Sequence, residues 1–181
     1  MIDIGIEDVS SSASIFYTTL KNYTEMNDYL KAVVLNHRKE YPETNVTNVK
    51  SSWTSSYYTH HETDKFNLLI DEVCSVCECI SGSHYNLESS YQPINMWAMM
   101  YEESEYAIPH NHFPSDFACV YYVDVEPDCA PIIFEDTLKI QPKNGMLVLF
   151  PALMQHEVPA TKGRRMVISM NIEKISLKQD V

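Results

Sequence analysis

The stretch "PHNHFPSDF", from Pro109 to Phe117, carries two histidines one residue apart, His110 and His112. On an extended chain, residues two apart point to one side, so both imidazoles can face one point. A third histidine, His156, follows the apolar run "GMLVLFPALMQ". Two ligands from one strand and one from a later strand would hold a metal with coordination positions left open, and imidazole suits iron, zinc and copper alike. The bland alternative is a pair of polar side chains on a wet strand face. The histidine downstream favours the metal.

Arg165 lies nine residues past His156, at the head of "RRMVISMNI". Strand alternation puts Arg165, Val167, Ser169 and Asn171 on one face and Met166, Ile168, Met170 and Ile172 on the other. An arginine on the inward face is costly unless it meets an anion, and its planar fork fits a carboxylate. A metal and a buried arginine together imply a ligand with metal-chelating oxygens at one end and a carboxylate at the other. 2-Oxoglutarate has that shape. On the same alternation Arg164 points outward.

Other motifs read as structural. Cys74, Cys77 and Cys79 in "CSVCEC" lack a second pair at zinc-ribbon spacing. Cys74 and Cys77 fall on a helical apolar stripe and are expected to pack in the core. His60 and His61 are expected at a solvated helix start, His37 on the surface and His84 in a turn. Trp97, Tyr121 and Tyr122, each taken alone, are expected as core aromatics.

The elements that position these residues divide into two parts. "NYTEMNDYLKAVVLNHRKE" reads as a helix with Asn22 and Glu25 as a capping box and Met26, Tyr29, Leu30, Val33 and Val34 on one face. A second helix is expected over "THHETDKFNLLIDEVCSVCECISGS", capped by Thr59 and Glu62, striped by Phe66, Leu69, Ile70, Val73, Cys74 and Cys77, and ended by residues 81–83. From about Gln92 the chain turns to short β-prone runs: "QPINMWAMMY", "FACVYYVDVE", "APIIFED", "LKIQP", "GMLVLFPA" and "RRMVISMNIEK". Helices followed by strands indicate an α+β fold. Many short strands indicate a sandwich or barrel such as a jelly roll.

The 181 residues fit one domain, 1–181, with 1–90 mainly a helical support region and 91–174 the core that carries the site. The net charge of −12 argues against general nucleic-acid binding. No apolar run is long enough to span a membrane. The opening "MIDIGIEDVSSS" has neither a basic start nor an apolar core of a signal peptide. Five cysteines, an odd number, suit a reducing compartment, so a cytoplasmic location is expected (the host's, were the chain phage-encoded).

From Asn95 to Ile172 the sequence resembles the Fe(II)/2-oxoglutarate-dependent dioxygenases, and more narrowly the small oxygenases of that kind in bacteria and phages that carry H-x-H. "HNHFPSDFACVYYV", "IIFED", "FPALMQHEVP" and "RRMVISMNI" follow that group's order. "HEVPATKGRR" is similar to prolyl hydroxylases, with the same spacing from histidine to arginine. The resemblance implies a double-stranded β-helix of the jelly-roll or cupin-like kind, with two N-terminal helices packed on the sheet. It implies Fe(II) on His110, His112 and His156, and 2-oxoglutarate anchored by Arg165, with Ser169 and Tyr122 at its distal carboxylate and Tyr101 lining its pocket. The implied reaction is hydroxylation of an unidentified small-molecule or protein substrate, with 2-oxoglutarate decarboxylated to succinate. The chain departs from the usual H-x-D/E…H triad, since His112 stands at the carboxylate position; Asp116 is the alternative ligand if its loop curls back. A three-histidine cupin-like metalloenzyme without 2-oxoglutarate, and a non-catalytic jelly-roll binding module, are the rival readings.

Overall fold

The computed structural model describes residues 5–10, 13–45 and 47–175. Within the opening "MIDIGIEDVSSS", residues 1–4, 11 and 12 lie outside the described residues.

Twelve strands form two antiparallel sheets among the described residues. The larger joins β1 (Gly5–Ser10), β2 (Ala13–Thr19), β10 (Met146–Pro151), β7 (Phe117–Val125), β12 (Arg165–Ile175), β5 (Ser90–Tyr101) and β4 (Trp53–Thr54), in that order. The smaller joins β3 (Val49–Lys50), β6 (Tyr106–His110), β11 (His156–Val158), β8 (Ile132–Phe134) and β9 (Leu138–Ile140). Two long helices, α1 (Tyr23–Glu40) and α3 (Asn67–His84), cover the large sheet, and the four-residue α2 (Thr59–Glu62) lies between them.

The layering follows from strand alternation. On β12, Met166, Ile168, Met170 and Ile172 face the helices and share a cluster with Leu30, Val34, Leu69, Val73 and Ile80. Val167 faces the small sheet, in a second cluster with Tyr122, Val148, Phe134 and Val158. A strand buried on both faces reads as a continuous apolar run, and β7 and β10 do. The turn into β10 is made at Gly145, where φ is +77° and a side chain would collide with Tyr23. A residue without Cβ takes that conformation freely.

α1 docks through one buried polar contact as well as its apolar face. The Tyr121 hydroxyl donates to Asn27 Oδ1 at 2.6 Å, and Asn27 Nδ2 donates to the Tyr122 carbonyl at 3.4 Å. Tyr121 is thus a core aromatic on the helix side, as expected.

Several local expectations are corrected. Asn22 sits in the left-handed region and its side chain makes no capping bond, so no capping box forms with Glu25. Tyr29, placed on the apolar face, is 46% exposed. The second helix is not continuous. α2 ends at Glu62, a 3-10 turn spans Asp64–Phe66, and Thr63 caps that turn by accepting from the Lys65 amide. The Thr59 hydroxyl donates back to the Ser56 carbonyl instead of capping. Residues 81–83 do not end α3, which runs to His84, so His84 is a helix residue rather than a turn residue. His37 is buried, not superficial; it contacts Glu62 at 3.3 Å and packs edge-on to Trp53. His60 is half-buried with neither ring nitrogen partnered, while His61 is exposed. Cys77 is in the core as expected, and Cys74 lies at its margin. Strands β1 to β4 run through the part assigned to helical support.

Candidate metal centre

β6 and β11 pair antiparallel, and the register sets His110 directly opposite His156. His110 is the last residue of β6, so His112 is not on the strand with it, contrary to expectation. The chain turns after His110, and the His112 amide donates to the Ala152 carbonyl at 2.7 Å, which holds the loop against the end of β10. The three imidazoles converge all the same. Their ligand atoms lie within 4.8 Å of one another, and His112 Nε2 is 3.3 Å from His156 Nε2. Two nitrogens bound at about 2.0–2.1 Å to one ion sit about 3–3.4 Å apart, so that spacing fits a shared metal.

The backbone orients two of the rings. His110 Nδ1 is 2.7 Å from the Ile108 carbonyl, and His156 Nδ1 is 3.1 Å from the Met154 carbonyl. A neutral ring donating from Nδ1 keeps its Nε2 lone pair for a metal. Burial lowers the pKa of all three. His112 falls to about 4 through burial and then the neighbouring His110, and His156 falls to about 3 through burial, His110 and His112. Neutral imidazoles at pH 7 are what metal binding requires. Phe150 and Phe134 wall the His156 ring at 4.7 and 5.7 Å between centroids.

Asp116 takes no part. It is exposed, and its Oδ2 accepts from the Lys174 amide at 2.7 Å, away from the cluster. The donor set is therefore three neutral nitrogens, which suits a first-row divalent ion.

The histidines open on a cavity of about 320 Å³ between the sheets. Tyr101, Tyr122, Arg165 and Ser169 line it as well. Arg165 is only 4% exposed, and no carboxylate pairs with it among the described residues. Its Nη1 donates to the Ala130 carbonyl at 3.1 Å, its guanidinium lies 4.1 Å from the centre of the Tyr101 ring, and its Nε has no partner. Burial pushes the Tyr122 hydroxyl up to about 12 and raises that of Tyr101, with the Arg165 charge opposing both. Both phenols therefore remain protonated donors at neutral pH. Arg164 points outward, and its fork grips Glu126 at 2.6 and 2.9 Å. Phe113 lines the cavity yet is 70% exposed, so the cavity opens beside it. Trp97, expected as a core aromatic, is buried but forms part of the cavity wall, 5.9 Å from the His112 ring.

Sequence reasoning assigned no role to Tyr57, Asn95 or Asn111, which also line the cavity. Asn171 was placed on the inward face by alternation alone, and it reaches the wall beside His112.

No protein-family model matches the sequence, and no curated protein matches it. Solved structures do share the fold. The viral collagen prolyl hydroxylase of Paramecium bursaria Chlorella virus-1, solved with 2-oxoglutarate, superposes with a TM-score of 0.61 at 13% identity, over 86% of this chain and 94% of its own. A prolyl-4-hydroxylase of Pseudomonas putida gives 0.62 at 12% identity, over 88% and 93%. A prolyl hydroxylase of Trichoplax adhaerens, bound to a fragment of the hypoxia-inducible-factor oxygen degradation domain, gives 0.65 at 17%, over 88% and 83%. The chain has the fold of 2-oxoglutarate–Fe(II) oxygenases.

Proposed function

We propose that the protein is an Fe(II)- and 2-oxoglutarate-dependent oxygenase that hydroxylates its substrate. On this reading the paired sheets are a double-stranded β-helix, and the chain is a single domain built around it. The carrying observation is Arg165. It is a buried guanidinium with an idle donor and no paired carboxylate among the described residues, in the same cavity as a metal-competent histidine cluster. A buried cation left without a partner costs several kcal/mol, and a ligand carboxylate removes that cost.

His110, His112 and His156 would hold the iron through neutral imidazole nitrogens. Bound there, iron supplies the activation of dioxygen coupled to decarboxylation of 2-oxoglutarate to succinate. The chain's own residues bind and orient. Arg165 takes the distal carboxylate of 2-oxoglutarate, with Tyr101 fixing the guanidinium plane from one face. The Tyr122 and Ser169 hydroxyls donate to the same carboxylate. The apolar walls from Phe134, Phe150 and Val167 exclude water, which strengthens each charged bond. The substrate reaches the site through the mouth beside Phe113.

The test is 2-oxoglutarate titration of anaerobic, Fe(II)-loaded protein, followed by charge-transfer absorption or calorimetry. Charge-assisted bonds contribute about 1.5–3 kcal/mol, so Arg165→Ala should weaken binding about 10- to 100-fold and leave metal binding intact. Arg165→Lys should recover part of the loss, since an ammonium lacks the fork. Arg164→Ala should be nearly silent. If wild type takes up iron but does not bind millimolar 2-oxoglutarate, the reading fails and a three-histidine metalloenzyme that binds substrate directly replaces it.

A further inference from the structure

Three metal-bound histidines need three acceptors on the side away from the metal. A neutral ring that coordinates through Nε2 carries its hydrogen on Nδ1, and that hydrogen needs a partner when buried. His110 and His156 each have one in a main-chain carbonyl two residues back, Ile108 and Met154. His112 lies in the loop beyond β6, and among the described residues no main-chain carbonyl serves its Nδ1 in this way.

The difference matters because it decides the tautomer of His112. With its hydrogen held at Nδ1 by Met154, His156 presents a lone pair at Nε2. His112 Nε2, 3.3 Å away, is then placed to donate to it. That tautomer of His112 carries its hydrogen on the atom that would meet the metal. Coordination requires the other tautomer, and therefore an acceptor behind the ring.

Asn171 offers one from the wall of the same cavity. Its Oδ1 is buried and without a hydrogen-bond partner, while its Nδ2 donates to Asn95 Oδ1 at 3.1 Å. Asn95 and Asn171 are direct cross-strand partners on β5 and β12. The bond between them commits the amide end of Asn171 to its neighbour strand and leaves the carbonyl end free. Asn171 and His112 line the same cavity, an unpartnered acceptor and a ring that lacks one.

We infer that Asn171 is a positioning residue for the metal centre: it accepts the Nδ1 hydrogen of His112 and so selects the tautomer whose Nε2 can bind metal. The inference rests on the three-histidine metal centre and not on 2-oxoglutarate. Asn95 orients the acceptor. The choice of tautomer only moves the proton between the two nitrogens of one ring, with no net gain or loss.

The experiment measures Zn(II) and Fe(II) affinity by chelator competition in wild type, Asn171→Leu and Asn171→Asp, with no cosubstrate present. Removing the partner of a coordinating histidine costs about 10- to 100-fold in metal affinity, and Asn171→Leu should show that loss. Asn171→Asp keeps the acceptor and adds the negative charge that three neutral ligands lack, so it should bind at least as tightly as wild type. Nitrogen-15 NMR of the Zn(II) form should show the His112 hydrogen on Nδ1 in wild type. Should Asn171→Leu not fold, Asn171→Asp and the wild-type tautomer decide the matter. Equal affinity in Asn171→Leu and wild type would overturn the inference and leave the metal centre standing, as would Asn171→Asp binding as weakly as a loss-of-acceptor variant. A wild type that takes up no metal would remove both.

Discussion

At the scale of single residues, the site depends on three imidazoles brought into one another's range without a carboxylate among them. Each is expected to be a direct ligand. Replacing a partner of a ligand alone costs about 10- to 100-fold in affinity, so His110→Ala, His112→Ala and His156→Ala should each cost more than that. Elemental analysis after equal loading checks it. Full occupancy in His112→Ala would take that residue out of the centre. The type and spacing of these residues were legible because chemistry leaves a direct mark in sequence: H-x-H, a later histidine, and an arginine nine residues on. The geometry was less so. Strand alternation predicts that residues two apart share a face, yet His110 ends β6 and His112 lies in the following loop. The convergence comes from the β6–β11 register and from the Ala152 carbonyl, neither of which a local pattern encodes. Asn95 left no signal at all, because an asparagine on a strand reads as a poor strand former until its cross-strand partner is known.

At the scale of elements, the β-prone runs beyond Gln92 were readable, down to the three-residue β8 and β9, and the two-residue strands were not. β5, β7, β10 and β12 stand where the β-prone runs placed them, and α1 covers the expected span. β3 and β4 are two residues each, too short for any period to show. β1 pairs only with the neighbouring β2, and β2 enters the sheet through β10, a long-range partner. The break between α2 and α3 falls ahead of the apolar stripe, where Thr63 takes an extended conformation that no periodicity marks. His37 looked superficial because its burial depends on Trp53 and Glu62, which are remote in sequence. The docking of α1 on β7 offers a direct check on these long-range contacts. Tyr121→Phe leaves the buried Asn27 Oδ1 without its donor, and a buried unsatisfied polar group costs about 1–3 kcal/mol. Denaturant unfolding should show that loss for Tyr121→Phe and a comparable one for Asn27→Leu. The double variant should lose less than the sum, since both polar ends leave together. Strict additivity would mean that the bond does not couple helix to sheet.

At the scale of the whole molecule, a net charge of −12 surrounds a cavity whose one charged lining residue among the described residues is Arg165. A dianion such as 2-oxoglutarate meets repulsion at long range and attraction only once inside. Raising ionic strength from about 0.01 to 0.1 M shortens the screening length from about 30 to 10 Å, which suppresses the long-range part more than the contact. Stopped-flow association of 2-oxoglutarate with the Fe(II)-loaded protein should therefore accelerate over that range. A slowing would mean that the field of the cavity already dominates the approach.

The pairing of β6 with β11 has a mechanical side. His112 and His156 are 44 residues apart in the chain, and an ion shared between them ties that long loop shut at the open rim of the smaller, five-stranded sheet. A cross-link of this kind restricts the unfolded chain more the longer the loop it closes. β11 contributes only three residues and β6 only five, so each has little backbone pairing of its own beside β7 and β12. Loading with metal should slow amide hydrogen exchange in β6 and β11 severalfold while leaving the longer β7 and β12 unchanged. The ion would then act as a rivet for one layer of the protein as well as a reagent.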